Sequence, residues 1–355
     1  MKTLNKYILF IIVVCSFAFH SCTTDNKFYL EGTIDDDVPY IILLNKGTMD
    51  TITVNDNVFS FQGIVDTVHL AQLKSPSFAG KKDLIIEPGT INIKWDGQKN
   101  FEASGTPNNE SFSIYTRGMD STTAIVLERY QDYMKAPTPE AKEEAMRQYN
   151  IAEEERLVFM RAQLRQNPNY TGLMILKPIY RTDSLNNLEE YLSLLSDLSY
   201  TDIYKEVDQY YSAVTNTAPG MPVPGFTLKD KDDNNISINS FRGKYVLLDF
   251  WFTGCAYCDK LIPHFREIYE ELRDKDFEII GISVDQNKST WLETLEKKNT
   301  PWIQLLDNEK KVASQFGMAG YPTLILIDNE GYVAKRLVGY REKEDLIKEI
   351  NEIMK

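Results

Sequence analysis

Material for metal binding and for nucleic-acid binding is scarce in this sequence. Its 355 residues include three histidines and four cysteines, and 52 Asp and Glu outweigh 39 Lys and Arg to a net charge of -13. Polyanions such as nucleic acid and anionic lipid are repelled by such a surface, so neither is expected as a ligand. Long apolar runs are equally scarce. The run from Tyr7 to Phe19 is shorter than the roughly 20 residues a membrane-spanning helix needs, and no other stretch exceeds it. Apolar and charged fractions are ordinary, so packed domains are expected, and the length implies two or three of them.

The short apolar run has a different use. Lys2 and Lys6 precede it, which is the pattern of an export signal. Phe19-His20-Ser21-Cys22 then resembles a lipobox, with a small residue before the cysteine, although Phe19 and His20 depart from the usual aliphatic and small choices. Residues 1–21 are therefore expected to leave as a lipoprotein signal peptide. Cys22 is the expected lipidation site and 22–27 a polar tether. The mature chain is expected in the cell envelope, facing the periplasm, with the membrane reached through its lipid. Cys15 departs with the signal and Cys22 is blocked, which leaves Cys255 and Cys258. Exported proteins usually employ cysteines as staples. A pair separated by two residues closes a loop too small to brace a fold, so redox chemistry is the better explanation.

Three regions follow the tether. Residues 28–106 read as short strands, among them Phe28–Thr33, Tyr40–Leu44, Val58–Gln62 and Thr90–Trp95, separated by turns such as Asn45-Lys46-Gly47 and Glu87-Pro88-Gly89. Their spacing and β-branched content predict an antiparallel β-sandwich-like domain. Residues 107–216 show three-to-four apolar spacing, clearest in Leu127–Met134, Pro139–Gln166 and Leu185–Leu198, and predict a helical spacer. Tyr133, Tyr149 and Phe159 there read as packing rather than as a binding stripe. The Pro/Gly linker Thr217–Gly225 opens a region, 217–355, of alternating strand and helix, the order of a thioredoxin-like α/β fold.

The chemistry concentrates in Trp251-Phe-Thr-Gly-Cys255-Ala-Tyr-Cys258, between an apolar strand and a helix. Zinc would need two further ligands, and His69 and His264 fit no common pairing with these cysteines, so no metal or other cofactor is expected. Strand, CxxC and helix in that order form a redox signature. A thiol at a helix N-terminus faces unpaired N–H groups and the positive end of the helix dipole. Both stabilise thiolate, which makes Cys255 the expected nucleophile and Cys258 the resolving thiol.

Residues 217–355 resemble the TlpA/ResA-type thioredoxin-like oxidoreductases. The resemblance rests on Asp249-Phe250-Trp251 before the first cysteine, Pro263 five residues after the second, Tyr321-Pro322-Thr323, Gly281-Ile-Ser-Val-Asp285, the region around Trp291 and Leu326-Ile-Asp-Asn-Glu-Gly331. It implies that Asp249 accepts or relays the Cys258 proton, the alternative being a structural carboxylate at a strand edge. It implies that Pro322 is cis and that Tyr321 offers its backbone to a substrate. Trp251 and Tyr257 complete the expected substrate contacts, while His264 is expected on a helix surface. Leu30-Glu31-Gly32, Phe59-Ser-Phe-Gln-Gly63 and Ile86-Glu-Pro-Gly89 resemble a β-domain of unknown function found ahead of such domains in envelope lipoproteins. Gly254 and Ala256-Tyr257 depart from the usual residues of the family, which leaves the direction of electron flow open.

The expected function is thiol-disulfide exchange with disulfide-containing exported proteins, as a reductase recharged by a membrane electron donor. A disulfide isomerase or oxidase is the alternative, and a binding lipoprotein with an incidental dithiol is another. A peroxidase is disfavoured, because Leu248 and Phe252 stand where the related peroxidases carry proline and threonine.

Overall fold

Side chains that alternate between core and solvent build the first half of the fold, in the computed structural model describing residues 26–354. The expected signal peptide and Cys22 lie outside the described residues. The strands are β1 (Lys27–Ile34), β2 (Tyr40–Asn45), β3 (Thr48–Thr53), β4 (Val58–Ile64), β5 (His69–Lys74), β6 (Lys82–Ile86), β7 (Gly89–Trp95) and β8 (Phe101–Ser104). They form two four-stranded sheets, ordered β4-β1-β7-β8 and β3-β2-β5-β6. Phe28, Leu30, Ile91 and Ile93 from one sheet meet Ile41, Leu43, Leu73 and Leu84 from the other in a single core, as period-two patterning requires.

One pairing corrects the antiparallel expectation. β1 and β7 run parallel, from Phe28 opposite Gly89 to Ile34 opposite Trp95. The chain leaves β6 in the second sheet and, after Glu87-Pro88, enters the first beside β1, whose other edge already carries β4. That crossing, rather than a hairpin, sets the direction of β7.

The same turn starts the helical region. Helix α1 (Pro107–Lys135) has proline in its first turn, and its N-cap residue Thr106 makes no capping bond through its side chain. The buried Glu87 carboxylate supplies that function, accepting from the N–H groups of Asn108 (2.8 Å) and Asn109 (3.2 Å) and from the Asn108 amide (2.7 Å). Asn109 in turn accepts from the Ile85 N–H and donates to its carbonyl. Removing a buried, charge-assisted cap strands several donors. Glu87→Ala is therefore expected to lower unfolding stability by about 2–3 kcal/mol. An unchanged midpoint in chemical denaturation would refute the capping role.

The remaining helices are α2 (Pro139–Gln166), α3 (Tyr170–Ile179), α4 (Leu185–Leu194) and α5 (Asp202–Asn216). The region is helical, as predicted, and the chain divides into two compact units within it, between Tyr149 and Asn150. α1 packs on β6 and β8 in the first unit, and α3 to α5 pack together in the second.

The second unit continues with β9 (Thr227–Asp230), β10 (Asn235–Ser237), β11 (Tyr245–Trp251), α6 (Ala256–Leu272), β12 (Phe277–Ser283), α7 (Lys288–Lys298), β13 (Ile303–Leu306), α8 (Lys311–Gln315), β14 (Thr323–Ile327), β15 (Val333–Val338) and α9 (Lys343–Ile353). Its sheet runs β10-β9-β13-β12-β11-β14-β15, with β11 parallel to β12 and antiparallel to β14. Leu248, Phe250, Ile280 and Ile325 fill one face. Leu247, Ile279 and Leu324 fill the other, against Leu261, Phe265 and Ile268 of α6 and Leu346 and Ile350 of α9. A sheet covered on both faces explains the unbroken apolar run of β11. Among the described residues, no helix is long and apolar enough to cross a membrane.

Candidate active site

Strand alternation decides what β11 presents to α6. Leu247 faces α6 and Leu248 and Phe250 face away, so Asp249 and Trp251 share the α6 side. On α6, Cys258, Leu261, Phe265, Ile268 and Leu272 form the buried stripe. Cys258 thus heads the helix face that covers the strand carrying Asp249. Cys255 occupies the N-cap, its Sγ accepting the Cys258 N–H at 3.2 Å, and the two cysteines are joined in a disulfide. They are 5% and 3% exposed and pack with Trp251, Trp291, Leu295 and the half-buried Tyr321.

Asp249 is 6% exposed and its Oδ1 has no hydrogen-bond partner. Burial pushes its carboxyl up to about 7, against the opposing pull of the Lys298 ammonium. Lys298, at the end of α7, lies with Nζ 4.0 Å from the Trp251 ring centroid and 2.6 Å from Asp259. Trp251 donates from Nε1 to Gln304 at 3.0 Å, and Gln304 donates to Thr300 at 3.1 Å. Gly281, opposite Asp249 on β12, leaves the room that the Gln304 amide fills; a Cβ there would overlap it. The loop before Cys255 is held by Asp285, which accepts from the Thr253 N–H (3.0 Å) and hydroxyl (2.9 Å).

The structure thus brings together Cys255, Cys258, Asp249, Trp251 and Tyr321 of the residues singled out in the sequence. The Tyr321-Pro322 peptide is cis, and the Tyr321 ring meets Phe252 edge-on at 5.5 Å. Trp251 is buried beneath the dithiol at 2% exposure, whereas Tyr257 is 59% exposed on the outer face of α6, under the Lys260 ammonium. His264 is half-buried against Tyr340 rather than fully at the surface. Lys298 and Gln304 border the site as well, and no sequence motif points to them. Paired lysines at a helix C-terminus read as dipole partners, and nothing in sequence marks the one that folds over Trp251. Among the described residues, no group of three or more His, Cys, Asp or Glu is placed to hold a metal ion.

The sequence has relatives. Residues 219–336 match the AhpC/TSA family, and residues 28–112 match a domain of unknown function, DUF4369. Over 162 residues the chain is 30% identical to the thiol-disulfide oxidoreductase ResA of Geobacillus thermodenitrificans, which spans 46% of this chain and 91% of that protein. The chain belongs to the ResA-type thiol-disulfide oxidoreductases. The ResA of Bacillus subtilis is 28% identical over 148 residues, 42% of this chain and 80% of its own. The crystal structure of the thioredoxin domain of a thiol-disulfide oxidoreductase from Bacteroides vulgatus is 34% identical, with a TM-score of 0.36, covering 39% of this chain and 99% of that one. This ResA-type protein is accordingly an oxidoreductase enzyme with a thioredoxin-fold α/β domain behind a β-rich domain and a helical region.

Proposed function

We propose that the protein reduces disulfides in exported proteins at the cell envelope, through Cys255 and Cys258. The observation that carries this reading is the buried, unpartnered Asp249 on the strand beneath Cys258. In the reduced enzyme the Cys255 thiolate attacks one sulfur of a substrate disulfide. A bond forms between the two sulfurs, and the second substrate sulfur departs as a thiolate and takes up a proton. Asp249 accepts the Cys258 proton, and the Cys258 thiolate attacks Cys255 Sγ, breaking the bond between Cys255 and the first substrate sulfur, which departs as a thiolate and takes up a proton. The substrate leaves with two thiols, having gained two electrons, and the enzyme retains the Cys255–Cys258 disulfide. A carboxyl whose proton affinity sits near neutrality suits that transfer, since it can take up and release a proton at working pH.

A membrane electron donor returns the dithiol, and lipidated Cys22 holds the enzyme beside it. The lipobox-like sequence at 19–22 supports that location. The deciding measurement is the reduction potential of the pair in the mature protein, equilibrated against glutathione and dithiothreitol buffers. A reductase is expected near -250 mV or lower, on the order of thioredoxin's value. A value of about -120 to -180 mV would overturn that direction in favour of an oxidase or isomerase.

A further inference from the structure

Loop 316–321, which leads into the cis peptide, is braced by the helices that precede the thioredoxin fold. Arg181, just after α3, donates from Nη1 to the Met318 carbonyl at 3.0 Å. Arg336 of β15 donates from Nη2 to the Phe316 carbonyl and to the Thr217 hydroxyl at the end of α5, both at 2.6 Å. Between these two anchors, Gly317 has φ +57, and a Cβ there would overlap Val214 of α5. Only glycine satisfies both the left-handed backbone and the close approach of the helix. α5 and the loop are therefore packed as one piece, and the helical region shapes the border of the active site.

A cleft of about 430 Å³ opens along this border, lined by Arg181, Tyr210, Lys310, Ser314, Gly320 and Tyr321 among others. Tyr321 belongs to both places, since it also packs on the cluster that contains Cys255 and Cys258. Tyr321 thus stands between the cleft and the Cys255–Cys258 disulfide. Its charge is opposite to that of the protein as a whole. Arg181 and Lys310 line it, and its one lining carboxylate, Glu206, is bound by Lys177 from outside the lining, by the Tyr180 hydroxyl and, at 3.9 Å, by Arg181 itself, which leaves the lining with a net positive charge. The nearby Asp307 is buried and accepts the Ala313 N–H at 2.8 Å. Arg181 stacks on Tyr180 and Tyr210, which fixes its guanidinium at the cleft.

We propose that this cleft binds the polypeptide flanking the substrate disulfide and favours an acidic side chain there, with Arg181 and Lys310 as its cationic contacts. The proposal rests on the disulfide-exchange reading above. A strand laid against Tyr321 to bring its disulfide to Cys255 continues into the cleft, where a carboxylate meets two cations on an otherwise acidic protein. Specificity is thereby assigned to the helical region as well as to the thioredoxin fold.

The test uses the mature protein and short peptide disulfides that differ only at residues beside the cysteine, Asp and Glu in one and Asn and Gln in its twin. The readout is the ratio of the two kcat/KM values on each variant, which stays informative where overall turnover changes. The wild type is expected to favour the acidic peptide about fivefold at low salt, with the preference shrinking as salt is added. Lys310→Gln and Arg181→Gln are each expected to bring the ratio towards one, and Lys310→Glu to take it below one. A wild-type ratio of one, or a ratio that Lys310→Gln leaves unchanged, overturns the cleft. No turnover of either peptide or of neutral 2-hydroxyethyl disulfide would instead overturn the exchange reading, and the cleft proposal with it.

Discussion

Cys258→Ser is expected to halt the enzyme as a stable mixed disulfide between Cys255 and its substrate, while Cys255→Ser forms no such adduct. Each change should lower turnover by about a thousandfold or more, as removal of a nucleophile or its partner does in enzymes that act through a covalent intermediate. Exposure does not assign these roles, because both sulfurs are almost equally buried in the disulfide form. Position on α6 does. Cys255 is the N-cap, and its sulfur already receives the Cys258 N–H, so negative charge on it meets a backbone donor and the positive end of the helix dipole. Cys258 lies inside the first turn and faces the β11 side of the helix. Mass spectrometry of each variant after incubation with a peptide disulfide reads the adduct directly. An adduct on Cys258 in the Cys255→Ser protein, with none on Cys255 in the other, would reverse the assignment. Full turnover by the double serine variant would remove the dithiol from the chemistry and leave a binding role.

What could be read from sequence follows from how local each determinant is. The strands before residue 96 announce themselves because Leu73, Ile91 and Ile93 alternate with polar residues, and because Ile41–Leu44 is a short apolar run between turn formers. The parallel β1–β7 pair could not be read, since it depends on where the chain crosses between sheets after Ile86. Strand β8, four residues long, is too short to carry a period. α3 is hard to read from sequence for another reason. It is buried almost all round, so its Leu173, Ile175, Leu176 and Ile179 show no polar face. α5 is amphipathic and has a Thr201 cap, so its start is legible in the sequence. At the site, Cys255, Cys258 and Asp249 sit within one ten-residue stretch that strand and helix periods are enough to fold. Lys298, Gln304 and Arg181 arrive from other elements, and only the tertiary packing brings them near.

Asp249→Asn is expected to make the protein more stable above neutral pH and less active, a combination that separates a working carboxylate from a structural one. The carboxyl goes from about 7 in the folded protein to 3.8 in the unfolded chain. Below pH 3.8 both states hold the proton and the group contributes nothing to the pH dependence. Between 3.8 and 7 the folded state keeps a proton that the unfolded chain has released, so stability falls as pH rises. Above 7 both are ionised and the loss is complete. Three pH units at 1.36 kcal/mol each make that loss about 4 kcal/mol, an upper bound for what Asn, which cannot ionise, restores at pH 8. Lys298 offsets part of the penalty but does not form a hydrogen bond to the orphan oxygen. Asparagine also cannot take the Cys258 proton. Exchange should therefore slow by about a hundredfold at neutral pH, the usual contribution of a positioned base, and the inflection near pH 7 in the rate profile should vanish. Denaturation midpoints at pH 5 and pH 8, paired with rate profiles, measure both effects on one protein. If Asp249 were structural, the substitution would lower the pH 8 midpoint and leave the rate profile in place. The buried charge would then be a framework feature, and Cys258 would have to lose its proton to solvent.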